Sequence, residues 1–262
     1  MAAFRDQLNR EINLPSVPER IISVVPSQTE LLFYLGLDKE VIGITKFCIH
    51  PAEKYKSTTK VGGTKQLNID LIKELKPDLI IANKEENEQH QIEELMTVCP
   101  VWISDISNLD EGLDMIGKVG ELVNRTTEAK LLIGAIKKQF NDFVAPSLNL
   151  QAAYLIWRKP CMVAGKGTFI DDMLQKCGLI NAFNEERYPE VSDKMLMDVK
   201  PDVVLLSSEP YPFTQKHIDE FKRLLPDAQA ILVDGEMFSW YGSRLLYAPA
   251  YFSKLVSGFY TG

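Results

Sequence analysis

The chain is poor in the residues that build metal and nucleophile chemistry. Its three histidines, His50, His90 and His217, are too scattered for the ligand spacing of a zinc site, so a three-histidine centre would have to be assembled from across the fold. His90 and His217 fall at helix starts that read as solvent-facing. Cys48, Cys99, Cys161 and Cys177 form no C-x-x-C pair, and no spacing selects a disulfide partner; they read as small buried apolar residues. No G-x-G-x-x-G, P-loop or G-x-S-x-G segment opens a helix. "VAGKGTF" (Val163–Phe169) lacks nucleotide-loop spacing, although its helix N-terminus suits an anionic group.

Excess positive charge is missing as well. A net charge of −7 argues against a nucleic-acid partner, which calls for a basic face. No apolar run approaches the roughly 20 residues that span a bilayer. The segment "MAAFRDQLNREINLPSVPER" has no apolar core and no cleavage site, so it does not read as a signal peptide. The expected location is the periplasm or cell envelope if an export signal was trimmed, and the cytoplasm otherwise.

What is present is an ordinary globular composition, 45% apolar and 25% charged over 262 residues, enough for one large or two small domains. "RIISVV" (20–25) reads as a buried strand, and Ser27 with Glu30 as a capping box for the helix that follows and stops at Gly36. "VIGITKF" is a second strand, and Asn68 caps a short helix, "IDLIKEL". "DLIIAN", a helix over 89–98 and "VWISD" come next. Leu109, Leu113, Ile116, Gly120 and Val123 recur at steps of four and three, one face of a long helix over 108–124. A second helix over 127–144 ends near Pro146. The alternation then resumes with "AAYLIW", "TFIDDMLQKCGL", "DKMLMDV", "DVVLLSS", "KHIDEFKRLL", "AILVD" and a last helix from Ser243.

Apolar strands alternating with amphipathic helices predict an α/β fold with parallel sheets. One unit occurs twice: "KPDLIIANKEEN" (Lys76–Asn87) and "KPDVVLLSSEPY" (Lys200–Tyr211). The expected architecture is two Rossmann-like lobes related by internal pseudo-symmetry, with a ligand cleft between them. Residues 1–107 form the first lobe, 108–124 the single linking backbone helix and 125–262 the second lobe.

Ligands of open parallel sheets bind beyond the carboxyl ends of the strands. That rule selects Ser27, Gln28, Phe47, His50, Asn83, Lys84 and Glu85 in the first lobe. In the second it selects Trp157, Arg158, Glu209 and Tyr211, then Phe238, Trp240, Tyr241 and Arg244 from "GEMFSWYGSR". The rings suit a large flat or apolar ligand, and Arg158, Lys159 and Arg244 suit carboxylates or phosphates on it. His50 is a weak candidate metal ligand, and no catalytic set assembles.

"RIISVVPSQTELLFYLGL", "VGGT…LNIDLIKELKPDLIIAN", "GKGTFIDDMLQKCGLINAF" and "YPEVSDKMLMDVKPDVVLL" together resemble the periplasmic substrate-binding proteins with a rigid helical backbone. These receptors feed cobalamin, haem, iron-siderophore and metal ABC importers, and the vitamin B12 (cobalamin) branch is the most similar. The resemblance implies a non-enzymatic monomer that holds a metal chelate without a catalytic cofactor. It places His50 where a ring contacts the corrin and Tyr188 near a tryptophan lining the same site. It also implies an ABC permease partner docked through acidic residues. Asp70 fills that role in the first lobe; its counterpart by the repeat is Lys194, with Asp193 adjacent. Two other readings stay open. One is a receptor for haem or a ferric siderophore, whose carboxylates Arg158, Arg244 and Lys84 would meet. The other is a cytosolic two-lobed metallocofactor enzyme or chelatase, with Cys48 and His50 as metal ligands.

Overall fold

A computed structural model describes residues 2–145 and 149–259. The chain divides into two compact units. The first runs to Ile106 and includes Asp110–Lys137 and Tyr241–Arg244; the second is Ser107–Leu109, Lys138–Trp240 and the chain from Leu245. The expected division at 107 and 124 follows chain order. The observed units do not, because most of both long helices and a short return segment belong to the first.

The first unit opens with a hairpin, β1 (Ala2–Arg5) and β2 (Glu11–Leu14), in a segment where the sequence signalled no strand. Its turn caps a sheet edge: the Gln7 N–H donates to the Ile103 carbonyl at 3.1 Å and Arg10 Nη2 to the Val101 carbonyl at 2.9 Å. Then come β3 (Ile21–Ser23), α1 (Pro26–Tyr34), β4 (Val41–Ile44), α2 (Ala52–Ser57), β5 (Thr59–Lys60), α3 (Ile69–Leu75), β6 (Leu79–Asn83), α4 (Gln89–Met96) and β7 (Val101–Ser104). The strands lie in the order β5-β4-β3-β6-β7, all parallel. Every residue of β6 and β7 is buried, which requires cover on both faces of the sheet.

The capping box expected at Ser27 is not made. The helix starts two residues earlier, with Val25 as its cap and Pro26, whose ring pre-sets a helical φ, in the first turn. Its end is as expected. Gly36, at φ 83°, sends its N–H to Phe33 and Leu37 sends its own to Leu32, the paired closing bonds of a Schellman turn. α5 (Leu109–Leu122) and α6 (Thr126–Asp142) follow, with Asn124 between them at φ 54°. Pro146, the expected end of the second long helix, lies outside the described residues.

The second unit contains β8 (Gln151–Trp157), β9 (Met162–Val163), α7 (Phe169–Lys176), β10 (Ile180–Asn181), α8 (Asp193–Val199), β11 (Val203–Ser207), α9 (Gln215–Leu224), β12 (Gln229–Val233), α10 (Glu236–Ser239) and α11 (Ala248–Ser257). Its parallel order is β10-β8-β11-β12, with β9 antiparallel on β8. Leu155, Val163, Phe183, Leu196, Val204, Leu206 and Phe221 form its core. The last helix does not run from Ser243 as expected. Ser243–Leu246 is a 3-10 turn, and the α-helix starts at Ala248 with Pro249 in its first turn.

The two copies of the repeat are built alike. Asn68 Oδ1 accepts the Leu71 N–H at 3.1 Å, and Ser192 Oγ accepts the Met195 N–H at 3.2 Å. Lys76 and Lys200 both end their helix in the left-handed region, at φ 47° and 46°. After the proline, Asp78 accepts the N–H groups of Glu19 (2.8 Å) and Arg20 (2.9 Å), and Asp202 accepts that of Gln151 (2.7 Å). Lys-Pro-Asp thus closes a helix, exits it, and pins the start of the neighbouring strand. No helix among the described residues is long and apolar enough to cross a membrane.

Candidate functional site

In each sheet the chain reverses its winding at one place, between β3 and β6 in the first and between β8 and β11 in the second. The loops there diverge and leave a crevice at the strands' carboxyl ends. In the first unit that crevice is bridged by the protein itself. Asn87 Nδ2 donates to the carbonyls of Val24 (3.1 Å) and Thr64 (3.0 Å), and its Oδ1 accepts the Asn83 N–H at 2.9 Å. Asn83 turns the loop by accepting the N–H groups of Glu85 and Glu86, and its amide donates to Ser104 Oγ at 2.9 Å. Gln28 donates to the same hydroxyl. Ser27, Gln28 and Asn83, expected on the wall, are therefore inside, at 5%, 0% and 3% exposure. The amides of Gln28 and Asn83 both reach Ser104 Oγ, and Asn83 also turns its own loop.

Two exposed apolar groups of this unit follow β4. Phe47 is 51% exposed and Ile49 43%, with half-buried His50 next. The Phe47 ring is held rather than loose: Lys46 Nζ sits 5.1 Å from its centroid, and its edge lies across Gly63, where a Cβ would come within 3.2 Å. Cys48 points the other way. It is fully buried, with Thr29 and Thr45 hydroxyls each 3.1 Å from its sulfur, and burial pushes its pKa up. Cys48 thus lies in the core, held by two threonine hydroxyls, whereas Phe47 and Ile49 on either side of it are exposed. Cys99, Cys161 and Cys177 are also free thiols, raised by burial to about 12, 11 and 12. Among the described residues no three His, Cys, Asp or Glu side chains gather to hold a metal.

In the second unit the crevice is lined by rings. Trp157, at the end of β8 and 38% exposed, meets Tyr211 edge-on with centroids 5.5 Å apart. Tyr211 in turn packs on Phe213 (4.7 Å) and His217 (5.4 Å). His217 is buried, contrary to its expected place on the surface. Its Nδ1 accepts the Thr214 N–H at 2.9 Å, completing a cap at the start of α9. The neutral ring then carries its proton on Nε2, 3.1 Å from the Tyr211 hydroxyl. Burial, then nearby Lys216, pushes its pKa down and keeps it neutral. The sequence signal was Thr-x-x-His, a capping box with histidine in place of Glu or Gln.

Three cations expected to meet ligand carboxylates already have carboxylates of their own. Arg158 bonds Glu220 at 2.7 and 3.1 Å, with Asp193 at 3.6 Å, and lies over the Phe221 ring. Arg244 grips both oxygens of Glu30 at 2.6 and 3.1 Å, a pair with side chains only 13% and 17% exposed. Lys84 bonds Asp105 at 2.6 Å.

Glu209 follows β11 and accepts the Ser239 hydroxyl and the Trp240 indole N–H, both at 2.7 Å. Trp240 and Tyr241 are buried at 5% and 6% exposure, while Tyr188 and Glu85 are half-buried in loops. Phe238, expected on the wall, has no exposed surface; it packs among Tyr154, Tyr251 and Phe252 in the core.

A match to the periplasmic binding protein family covers residues 21–229. The chain belongs to that family of binding proteins, and it is a transport-type binding protein rather than an enzyme. A vitamin B12-binding protein of Yersinia pestis (strain Pestoides F) is 26% identical over 247 residues, 90% of this chain and 86% of the relative. The periplasmic vitamin B12 binding protein of Vibrio cholerae has the same fold, with a TM-score of 0.79 at 21% identity over 95% of this chain and all of that one. The periplasmic heme-binding protein of Roseiflexus sp. RS-1, in apo form, also scores 0.79, at 20% identity over 93% of this chain and 98% of its own.

Proposed function

We propose that this protein captures a cobalamin-type corrinoid on strand-end rings and hands it to an ABC permease. The carrying observation is the charge arrangement. Lys84, Arg158 and Arg244 are each neutralised by a carboxylate of the same unit, while Phe47, Trp157 and Tyr211 remain as held, partly exposed rings. That combination favours a large ligand with no need for cationic partners. A haem or siderophore carboxylate would have to break an existing pair before gaining a new one, and removing one partner of the mostly buried Arg244–Glu30 pair is costly. The name of the Yersinia relative supports the same cargo. The likeness to the heme-binding protein concerns the fold alone.

The working location is the periplasm or envelope, in keeping with the family's description and the printed name of the Vibrio cholerae structure. Docking would use Asp70 and Asp193, both exposed in the first turns of α3 and α8. Lys194, beside Asp193, is tied to Asp198 at 2.6 Å within its own helix, so its charge does not cancel the acidic contact. The protein would act as a monomer.

Calorimetric titration with cyanocobalamin and with haemin tests the cargo. The expected result is saturable cyanocobalamin binding near or below about 1 μM, some 8 kcal/mol, with haemin at least ~10-fold weaker. Tighter haemin binding, or no cyanocobalamin signal, overturns it.

A further inference from the structure

The charged groups at the strand ends fall into two classes. Lys84, Arg158 and Arg244 are spent on internal partners. Glu209 is different, because no cation pairs with it among the described residues. Its Oε1 takes both of its side-chain hydrogen bonds, from Ser239 Oγ and Trp240 Nε1. Its Oε2 accepts none from the described residues.

The carboxylate is also fixed in place. Its stem packs against Gly235, where an added Cβ would come within 2.7 Å of Glu209 Cγ, so no larger residue fits there. Its backbone N–H returns to Ser207 Oγ at 3.3 Å. Asp234 and Glu236, just after β12, add negative charge to its surroundings. Burial pushes its carboxyl pKa up, opposed by the two donors on Oε1. A half-buried carboxylate with one oxygen held and the other open lacks donors. It rewards a ligand N–H and penalises a second carboxylate brought against it, which is how a site rejects a near-isostere.

We propose that Glu209 sets the specificity of this site, selecting chelates whose side chains end in amides over the same ring bearing carboxylates. The inference rests on the corrinoid reading above and adds the chemical feature that is read. Oε2 accepts an amide N–H of the ligand, while Oε1 stays on Ser239 and Trp240. A ligand carboxylate at the same place would offer no hydrogen and would meet like charge from Glu209, Asp234 and Glu236.

Two corrinoids with the same ring test this: dicyanocobinamide, which carries amides, and dicyanocobyrinic acid, which carries carboxylates. Both would be titrated at pH 8 into the wild-type protein and into Glu209→Gln, Glu209→Ala and Glu209→Asp. The wild type is expected to prefer the amide ring by about 100-fold, the scale on which a built polar site rejects a mismatched partner. Glu209→Gln, which keeps an acceptor for Ser239 and Trp240, should narrow that ratio about tenfold, mainly by tighter binding of the acid. Glu209→Ala removes the same charge and should narrow it too, so the test survives if one variant fails to fold. Glu209→Asp keeps the charge and should keep the preference. An unchanged ratio in the Gln and Ala variants, with both rings still bound, overturns the role of Glu209 alone. Failure of the wild type to bind either ring overturns the corrinoid reading and this inference together.

Discussion

Lys76–Asn87 and Lys200–Tyr211 share a frame and differ in what they display. In both, a polar cap starts the helix, a left-handed lysine ends it, and an aspartate pins the next strand over. The last residues of the two copies, Asn87 and Tyr211, stand at equivalent places beyond the strand. Asn87 spends its amide bridging Val24 and Thr64, which closes the crevice of the first unit. Tyr211 turns its ring to Trp157 and its hydroxyl to His217, which lines the crevice of the second. At the end of a shared geometry, one copy thus carries a bridging amide and the other an aromatic contact.

The frame itself is the first place to break the comparison. Asp78 accepts two backbone N–H groups and Asp202 one. Asp78→Ala should therefore cost about 2–3 kcal/mol and Asp202→Ala about 1–1.5 kcal/mol, since each of these exposed hydrogen bonds is screened by water and carries about 1–1.5 kcal/mol. Urea unfolding midpoints of the two variants measure the difference, and equal losses would deny the asymmetry.

A smaller effect separates the histidines at the starts of the following helices. His90 is exposed on α4, whereas His217 is buried and its pKa is depressed. An unfolded histidine titrates near 6.5, so below that pH the unfolded chain binds more protons than the folded one. Stability from the neutral ring is full above about pH 7 and is lost as pH falls through about 6.5. Thermal midpoints between pH 7.5 and 5.5 should show that loss, and His217→Gln should flatten it. A profile unchanged by His217→Gln would remove the buried neutral ring from the account.

Local chemistry made much of the fold legible. Asn68 and Gly36 act through neighbours in sequence, and each works as the sequence implied. What stayed hidden depends on partners far along the chain. Glu30 and Arg244 are 214 residues apart and Arg158 and Glu220 are 62 apart, so nothing local showed that those cations were already neutralised. Strand-end position put Gln28, Asn83 and Phe238 on the wall, but that position does not say which way a side chain turns. The hairpin of β1 and β2 escaped because four-residue strands carry too little alternation to stand out. His217 looked like a surface residue because the start of its helix read as solvent-facing.

The central claim is that a corrinoid lies on the held rings rather than on the charges. Cyanocobalamin affinity of Trp157→Ala, beside Arg158→Ala, tests it most directly. Loss of a stacked aromatic anchor should weaken binding by about 10- to 100-fold, while loss of the internally paired Arg158 should change it by less than about threefold. The reverse pattern, with affinity kept in Trp157→Ala and lost in Arg158→Ala, would contradict the account.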